Sequence, residues 1–170
     1  MAERRRVVIT GIGAVTPIGI TRDGLWDGLK SYRSAVRPVT RFDASIFRSQ
    51  IAAEIDFNPS DFLDDRRTKR LDRFGQFTVA CARLAVEDSE LALAAEDRER
   101  IGSTMGTALG GVGFAEEQFK IFKAEGIKSV APTLATNVFG GAASCNVAIE
   151  FGVQGPNSTN AMSCASGTMA

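Results

Sequence analysis

The 170-residue sequence contains no histidine. This absence excludes Ser-His and Cys-His nucleophile pairs, histidine-based zinc sites and histidine proton shuttles from within these residues. Catalysis or zinc binding of those kinds needs histidines from outside these 170 residues. The sequence also has no net charge, because its 20 Lys and Arg residues balance its 20 Asp and Glu residues. Overall charge therefore gives no reason to expect nucleic-acid binding.

Cysteine is scarce and widely spaced, at Cys81, Cys145 and Cys164. Three cysteines without CxxC spacing form neither a metal or redox motif nor a complete disulfide framework. The pattern fits a reducing compartment, and we predict a cytoplasmic protein. The apolar run near the N-terminus does not read as an export signal, because Pro17 and Gly19 interrupt it.

Charge almost disappears from the last quarter of the sequence, where Glu150 is the only charged residue after Lys128. Small residues dominate this segment, and Pro132, Asn137 and Asn146 argue against a membrane span. We expect no membrane association. The segment is predicted to be buried in a large core or at a subunit interface.

Hydrophobic residues make up 44% of the sequence, enough for the core of one α/β domain over residues 1–170. Apolar residues at three- and four-residue steps predict an amphipathic helix with a core-facing stripe of Leu71, Phe74, Phe77, Cys81, Leu84 and Ala85. The predicted strands are 4–10, 51–55, 101–107 and 158–162, and the predicted helices are 22–31, 69–88, 114–124 and 138–151.

Two glycine-rich segments resemble nucleotide-binding loops only superficially. After Gly11-Ile12-Gly13 the third glycine position of a dinucleotide fingerprint holds Thr16. In the segment from Gly106 to Gly111, the lysine position of a phosphate loop is Val112. We interpret both segments as tight turns and close backbone packing after buried strands.

Cys164 lies where a predicted strand stops and small residues, 160–167, allow a sharp turn into a helix. This arrangement resembles a nucleophile elbow, in which the amides of a helix N-terminus stabilise a thiolate. From the residues alone, a catalytic cysteine and a buried structural thiol both remain open. Cys81 and Cys145 are interpreted as small core hydrophobes.

The densest basic cluster consists of Arg66, Arg67, Lys69 and Arg70. One interpretation is a solvated face, partly neutralised by the aspartates at 61, 64, 65 and 72. The other is a docking site for an acidic partner.

Several motifs occur together in order: Arg5–Gly13 with Pro17–Gly19, Arg100–Gly102 leading to Gly110-Gly111, and Gly155-Pro156 followed by Cys164–Gly167. Together they resemble the N-terminal half of a β-ketoacyl-acyl carrier protein synthase. The likeness is strongest to the type II condensing enzymes of fatty-acid and polyketide synthesis, and it covers essentially the whole sequence.

This resemblance implies a thiolase-like fold, here the N-terminal half of a layered αβαβα arrangement, paired as a homodimer or a ketosynthase heterodimer. It implies an acyltransferase that condenses a cysteine-bound acyl group with malonyl carrier protein, releasing carbon dioxide. Cys164 matches the acyl-accepting cysteine, and Leu109 matches a position lining the acyl pocket. Arg66, Arg67, Lys69 and Arg70 overlie a segment associated with acyl carrier protein docking. No metal or cofactor is expected, since the substrates arrive on the carrier's phosphopantetheine.

The sequence also departs from the family pattern. The family uses two histidines and further C-terminal residues, so we expect the 170-residue chain to be incomplete at its C-terminal end and inactive alone. Ser163 replaces a smaller residue, while Gly141 and Ser144-Cys145 replace the usual Asn and Ala-Gly. The alternatives are a thiolase-fold acyltransferase without decarboxylation and a non-catalytic partner such as a chain-length factor. The latter typically lacks the nucleophile.

Overall fold

A computed structural model describes residues 5–170 of the chain. Its strands are β1 (Val15–Thr16), β2 (Gly19–Ile20), β3 (Arg37–Pro38), β4 (Ile51–Ala52), β5 (Ser103–Gly106) and β6 (Asn157–Asn160). Its helices are α1 (Thr21–Lys30), α2 (Asp65–Arg70), α3 (Arg73–Asp88), α4 (Val112–Glu125), α5 (Leu134–Val138), α6 (Ala142–Phe151) and α7 (Ser166–Met169).

The strand pair that matters for the candidate site is β5 with β6. These strands run parallel, with Ser103 opposite Asn157 and Gly106 opposite Asn160. A parallel pair requires a long crossover connection, and here α4, α5 and α6 supply it. The predicted alternation of strands and helices is confirmed in this region. The strand expected at 101–107 spans 103–106, and the one expected at 158–162 spans 157–160.

The chain divides into two compact units, the first comprising the segment up to Asn58 together with Cys81–Leu91. In this unit the first glycine-rich segment, residues 11–13, packs directly on the C-terminal half of α3. A Cβ added to Gly13 would lie 1.9 Å from the Cys81 carbonyl oxygen. Ile12 N donates to Asp88 Oδ2 at 2.9 Å. The close backbone packing expected of these glycines is confirmed, but within the described residues they form no tight turn and follow no strand.

The strand predicted at 4–10 is wrong over residues 5–10, which form no regular element. Val7 is 93% exposed and Ile9 84%, so the β-branched run is not buried. Strand propensity alone does not make a strand, because the backbone needs a partner to complete its hydrogen bonds. Within residues 5–170 no segment pairs with this run, and Arg4 lies outside the described residues.

The second unit contains Pro59–Ala80 and Ala92–Ala170. Its small core is formed by Leu63, Leu71 and Val79. The helix predicted at 69–88 is interrupted between α2 and α3, where Asp72 Oδ1 accepts a hydrogen bond from Gly75 N at 2.9 Å and caps α3.

The predicted stripe is confirmed at Leu71, which is buried in the core, but its residues on α3 are not the most buried residues of that helix. The buried α3 residues are Gly75, Val79 and Ala80, whereas Phe74 and Phe77 are only half-buried. Periodicity locates the apolar side of a helix, but close packing places its smallest residues against the neighbouring backbone. The helix itself is confirmed, and its core-facing side is rotated from the prediction.

The helix predicted at 138–151 is two helices, α5 and α6, because Phe139 adopts an extended backbone and Gly140-Gly141 follow it. α6 buries its first three residues and Val147, as the chargeless composition predicts. Its other side is open, since Ile149 is 65% exposed. Burial of the last quarter is therefore confirmed for one face of α6.

Among the described helices, α3 is the longest, with 16 residues. A membrane span needs about 20 apolar residues, and no helix within residues 5–170 is long and apolar enough to cross a bilayer. The same residues bring no three His, Cys, Asp or Glu side chains together as a metal-binding cluster.

Candidate active site around Cys164

The candidate site begins where β6 ends and the chain turns sharply. Ser163 has a φ of 51°, in the left-handed region that residues with a side chain rarely adopt. Such a conformation costs about 1–2 kcal/mol. Ser166 Oγ offsets part of this cost by donating to the Ser163 carbonyl oxygen at 2.7 Å. The turn leaves Cys164 exposed.

The turn is also packed closely on the end of β5. A Cβ added to Gly106 would lie 2.2 Å from the Ser166 carbonyl oxygen. Thr107 N donates to the Asn160 carbonyl oxygen at 3.0 Å, which continues the β5–β6 pairing to the last residue before the turn. The position of Cys164 is therefore fixed by backbone contacts with the strand beside it.

Leu109 lies on a short loop that follows the same strand. Its side chain is 71% exposed. The loop turns at Gly110, whose φ is 58°, and Gly110 N donates to Thr107 Oγ1 at 3.0 Å. Since Thr107 also bonds to Asn160, one residue joins the Leu109 loop to the strand that leads to Cys164.

The three cysteines lie in different surroundings. Burial raises the pKa of the Cys81 thiol, so Cys81 remains protonated where a free cysteine ionises. Cys145 is exposed on α6. Its prediction as a core hydrophobe is wrong, because the alanines that flank it at 142 and 143 turn inward while Cys145 lies on the opposite side of the helix.

The basic cluster lies on α2, but its four members are not equivalent. Arg66, Lys69 and Arg70 are exposed. Arg67 Nη2 instead lies 3.0 Å from Glu150 Oε2, and these side chains are only 23% and 8% exposed. The single charged residue of the last quarter thus ties α6 to α2.

We expect Arg67→Ala to lower the free energy of unfolding by about 2 kcal/mol, since it takes a guanidinium partner from a buried carboxylate. Arg66→Ala, in the exposed part of the same helix, should change it by less than about 0.5 kcal/mol. Denaturant unfolding of both variants measures the difference. Equal effects would contradict the structural assignment of Arg67.

Two further aspartates near the cluster act as helix caps. Asp64 Oδ1 accepts from Arg67 N at 2.8 Å at the start of α2. Asp72 is 7% exposed at the start of α3. Burial, assisted by the charge of Glu117, raises the pKa of the Asp72 carboxyl against the effect of its backbone hydrogen bonds. The aspartate-to-glycine spacing 72–75 is a capping signal that sequence analysis missed.

A buried hydroxyl network also went unrecognised in the sequence. Ser144 is 1% exposed, and its Oγ accepts from Thr159 Oγ1 at 2.7 Å. The Ser144 carbonyl oxygen accepts from Asn157 Nδ2 at 3.3 Å. These bonds hold β6 against α6. In the sequence Ser144 stands out only as a departure from the family pattern, and no sequence signal indicates its partners.

An exposed cysteine lies on a strand–turn–helix elbow that is held by a parallel strand and a glycine loop. This arrangement is suited to thiol-dependent group transfer.

Known proteins are similar to this chain in both sequence and fold. Residues 4–170 match the family described as Beta-ketoacyl synthase, N-terminal domain. The chain belongs to this family.

Two curated relatives are both named 3-oxoacyl-[acyl-carrier-protein] synthase 2. The Synechocystis protein is 37% identical over 169 residues, 99% of this chain and 41% of its own length. The Coxiella burnetii protein is 37% identical over 166 residues, 97% of this chain and 40% of its own. The chain thus spans about two fifths of the length of these relatives.

Solved structures give the fold. The ishigamide ketosynthase/chain length factor matches with a TM-score of 0.74 and 29% identity, covering 92% of this chain and 40% of that one. A type II PKS acyl-carrier protein in complex with its ketosynthase bound to the hexaketide matches with a TM-score of 0.77 and 23% identity, covering 98% and 44%. The predicted α/β, thiolase-like fold is confirmed.

Proposed function

We propose that the protein containing this chain is a β-ketoacyl-acyl carrier protein synthase of fatty-acid or polyketide synthesis, with residues 1–170 as its N-terminal ketosynthase domain. The observation that carries the proposal is the exposed Cys164 on its elbow, in a chain that matches the ketosynthase family throughout. The names of the relatives support the same reaction.

In the proposed first step, the Cys164 sulfur attacks the carbonyl carbon of an acyl carrier thioester. A new carbon–sulfur bond forms to Cys164, the bond to the phosphopantetheine sulfur breaks, and that thiol leaves with a proton. In the second step malonyl carrier protein loses carbon dioxide, and its carbanion attacks the acyl-cysteine and releases the Cys164 thiol. The substrates bring their own phosphopantetheine, and we propose no further cofactor or metal.

The two steps make different demands on this chain. Acyl transfer needs an accessible sulfur, which Cys164 supplies. Decarboxylation in the family uses histidines, and these 170 residues contain none. We therefore assign the acyl-accepting half of the reaction to the chain. Leu109, exposed on the loop beside the elbow, is proposed to line the acyl pocket.

We further propose acyl carrier protein as the partner of the α2 cluster. Carrier proteins are acidic, and Arg66, Lys69 and Arg70 present an exposed positive face. Arg67 belongs to the same predicted docking site, although its side chain also pairs with Glu150. The structural relative in complex with a carrier protein supports such a contact.

Reversing two exposed charges, Arg66→Glu with Lys69→Glu, should raise the KM for carrier-bound substrate roughly tenfold or more at low salt. Acylation by a small thioester that lacks the carrier should be unchanged, because both side chains are exposed on α2 and the reacting cysteine lies on the elbow. Steady-state kinetics at two ionic strengths measure both effects. An equal loss with both substrates would mean that the cluster is structural.

Two other functions are distinguishable by product analysis. A thiolase-fold acyltransferase would form the acyl-cysteine without releasing carbon dioxide from malonyl carrier protein. A non-catalytic partner, as in a ketosynthase/chain length factor pair, would not be acylated at all. The test is to incubate the natural protein with acyl and malonyl carrier proteins and measure both acylation and carbon dioxide. Release of carbon dioxide together with acylation is the result expected of a condensing enzyme.

The proposal includes assembly and location. We propose a cytoplasmic enzyme that pairs as a homodimer or as a ketosynthase heterodimer, since one structural relative is a ketosynthase/chain length factor. The exposed apolar side of α6 is compatible with such pairing.

A further inference from the structure

Asn137, on α5, connects α2 to the Leu109 loop. The Asn137 side chain is 3% exposed, and its Nδ2 donates to the Arg70 carbonyl oxygen at 2.9 Å. This bond joins α5 to the last residue of α2. It uses the backbone of Arg70 and leaves the exposed guanidinium of that residue free to face a partner.

The same Asn137 contacts the glycine loop through its own backbone. A Cβ added to Gly111 would lie 2.1 Å from the Asn137 carbonyl oxygen and 2.9 Å from Asp72 Oδ2. Gly111 is therefore held between an α5 carbonyl and the buried carboxylate that caps α3. Only glycine fits this position, and it lies two residues after Leu109.

Asp72 also contacts Gly111, and it lies just after the end of α2. It follows Arg70 by two residues, its Oδ1 is fixed by Gly75 N, and its Oδ2 faces Gly111. A cavity of about 420 Å³ adjoins this contact, lined by Asp72, Gly110, Gly111, Phe114 and Glu117 among others. The cavity leaves unfilled space beside the loop.

We propose that Asn137 and Asp72 are positioning residues that hold the Leu109 loop in a fixed position relative to α2. In this way they set which acyl-chain lengths the enzyme prefers. This inference rests on the proposed function, in which Leu109 lines the acyl pocket and α2 meets the carrier. In this proposal neither residue needs to touch the acyl group. Each acts through the backbone of Gly111 and thus through the position of Leu109.

The test uses the natural enzyme that contains this chain, with a series of acyl carrier thioesters from short to long. Asn137→Ala and Asp72→Asn should each change the ratio of kcat/KM between short and long acyl groups at least fivefold. Asp72→Asn preserves the size of the side chain and can still accept from Gly75 N, so it remains informative if Asn137→Ala folds poorly.

Arg70→Ala is the matched control, because it removes the guanidinium and keeps the carbonyl oxygen that Asn137 uses. It should raise the KM for all carrier substrates together and leave the chain-length ratio unchanged. Hydrogen exchange of residues 107–113 should quicken in Asn137→Ala and stay at the wild-type rate in Arg70→Ala.

The outcomes separate this inference from the proposed function. A chain-length ratio that stays at the wild-type value in both positioning variants, or activity that falls equally for every acyl group, would overturn the inference. A wild-type enzyme that forms no acyl-cysteine with any carrier substrate would overturn the proposed function instead. A general loss of stability does not by itself change the chain-length ratio, so a purely structural role gives a different result.

Discussion

Replacing Cys164 by alanine is expected to abolish acyl-enzyme formation and to reduce turnover by at least about 10³-fold. The physical reason is that the acyl group needs a sulfur that is accessible and that can leave again in the next step. Cys164 is exposed on the elbow, whereas burial raises the pKa of the Cys81 thiol. The measurement is the mass of the protein after incubation with an acyl carrier thioester.

Cys145 provides a demanding control for this experiment, because it is also exposed. Both Cys145 and Cys164 are exposed in this chain, so alkylation alone does not identify the nucleophile. We expect Cys145→Ala and Cys81→Ala to retain the acyl adduct on Cys164. An adduct that survives in Cys164→Ala would remove the basis of the condensing mechanism.

Gly106→Ala should damage both the stability of the chain and the geometry of the elbow. The new Cβ would lie 2.2 Å from the Ser166 carbonyl oxygen, so either β5 or the elbow must move. Overpacking of this kind costs about 3 kcal/mol. We also expect the rate of Cys164 acylation to fall, since the Ser163–Ser166 turn is the part that is pushed away. Denaturant unfolding and acylation by a small thioester report the two effects separately.

Gly167→Ala is the matched control for Gly106→Ala. A Cβ at Gly167 meets nothing within 4 Å among the described residues, and alanine is favoured over glycine in a helix. Its free energy of unfolding should stay within about 0.5 kcal/mol of the wild type. If Gly106→Ala were as mild as this control, the close packing of β5 on the elbow would be disproved.

Local sequence signals predicted the elements that depend on local interactions. The helix at 22–31 appears as α1, and the alternation of strand and helix around β5 and β6 was evident from composition. Cys164 could be singled out because the small residues around it permit a sharp turn. A turn is encoded within a few neighbouring residues, so the sequence displays it directly.

What sequence analysis missed depends on contacts between distant residues. Asn137 bonds to Arg70, which lies 67 positions away, and no periodicity links the two. The run from Val7 to Ile9 has strand propensity, but pairing needs a partner that propensity does not identify. The exposure of Cys145 follows from how α6 turns its alanines inward, which depends on neighbours supplied by the rest of the fold.

The left-handed backbone at Ser163 limits how the sequence can change over evolution. Glycine, asparagine and aspartate tolerate a positive φ better than other residues, and a β-branched residue there would be a severe outlier. The position before the proposed nucleophile is thus constrained by its backbone angle, even though its side chain takes no part in the proposed chemistry. We therefore expect this position to accept only a few small or polar residues for as long as the elbow is kept.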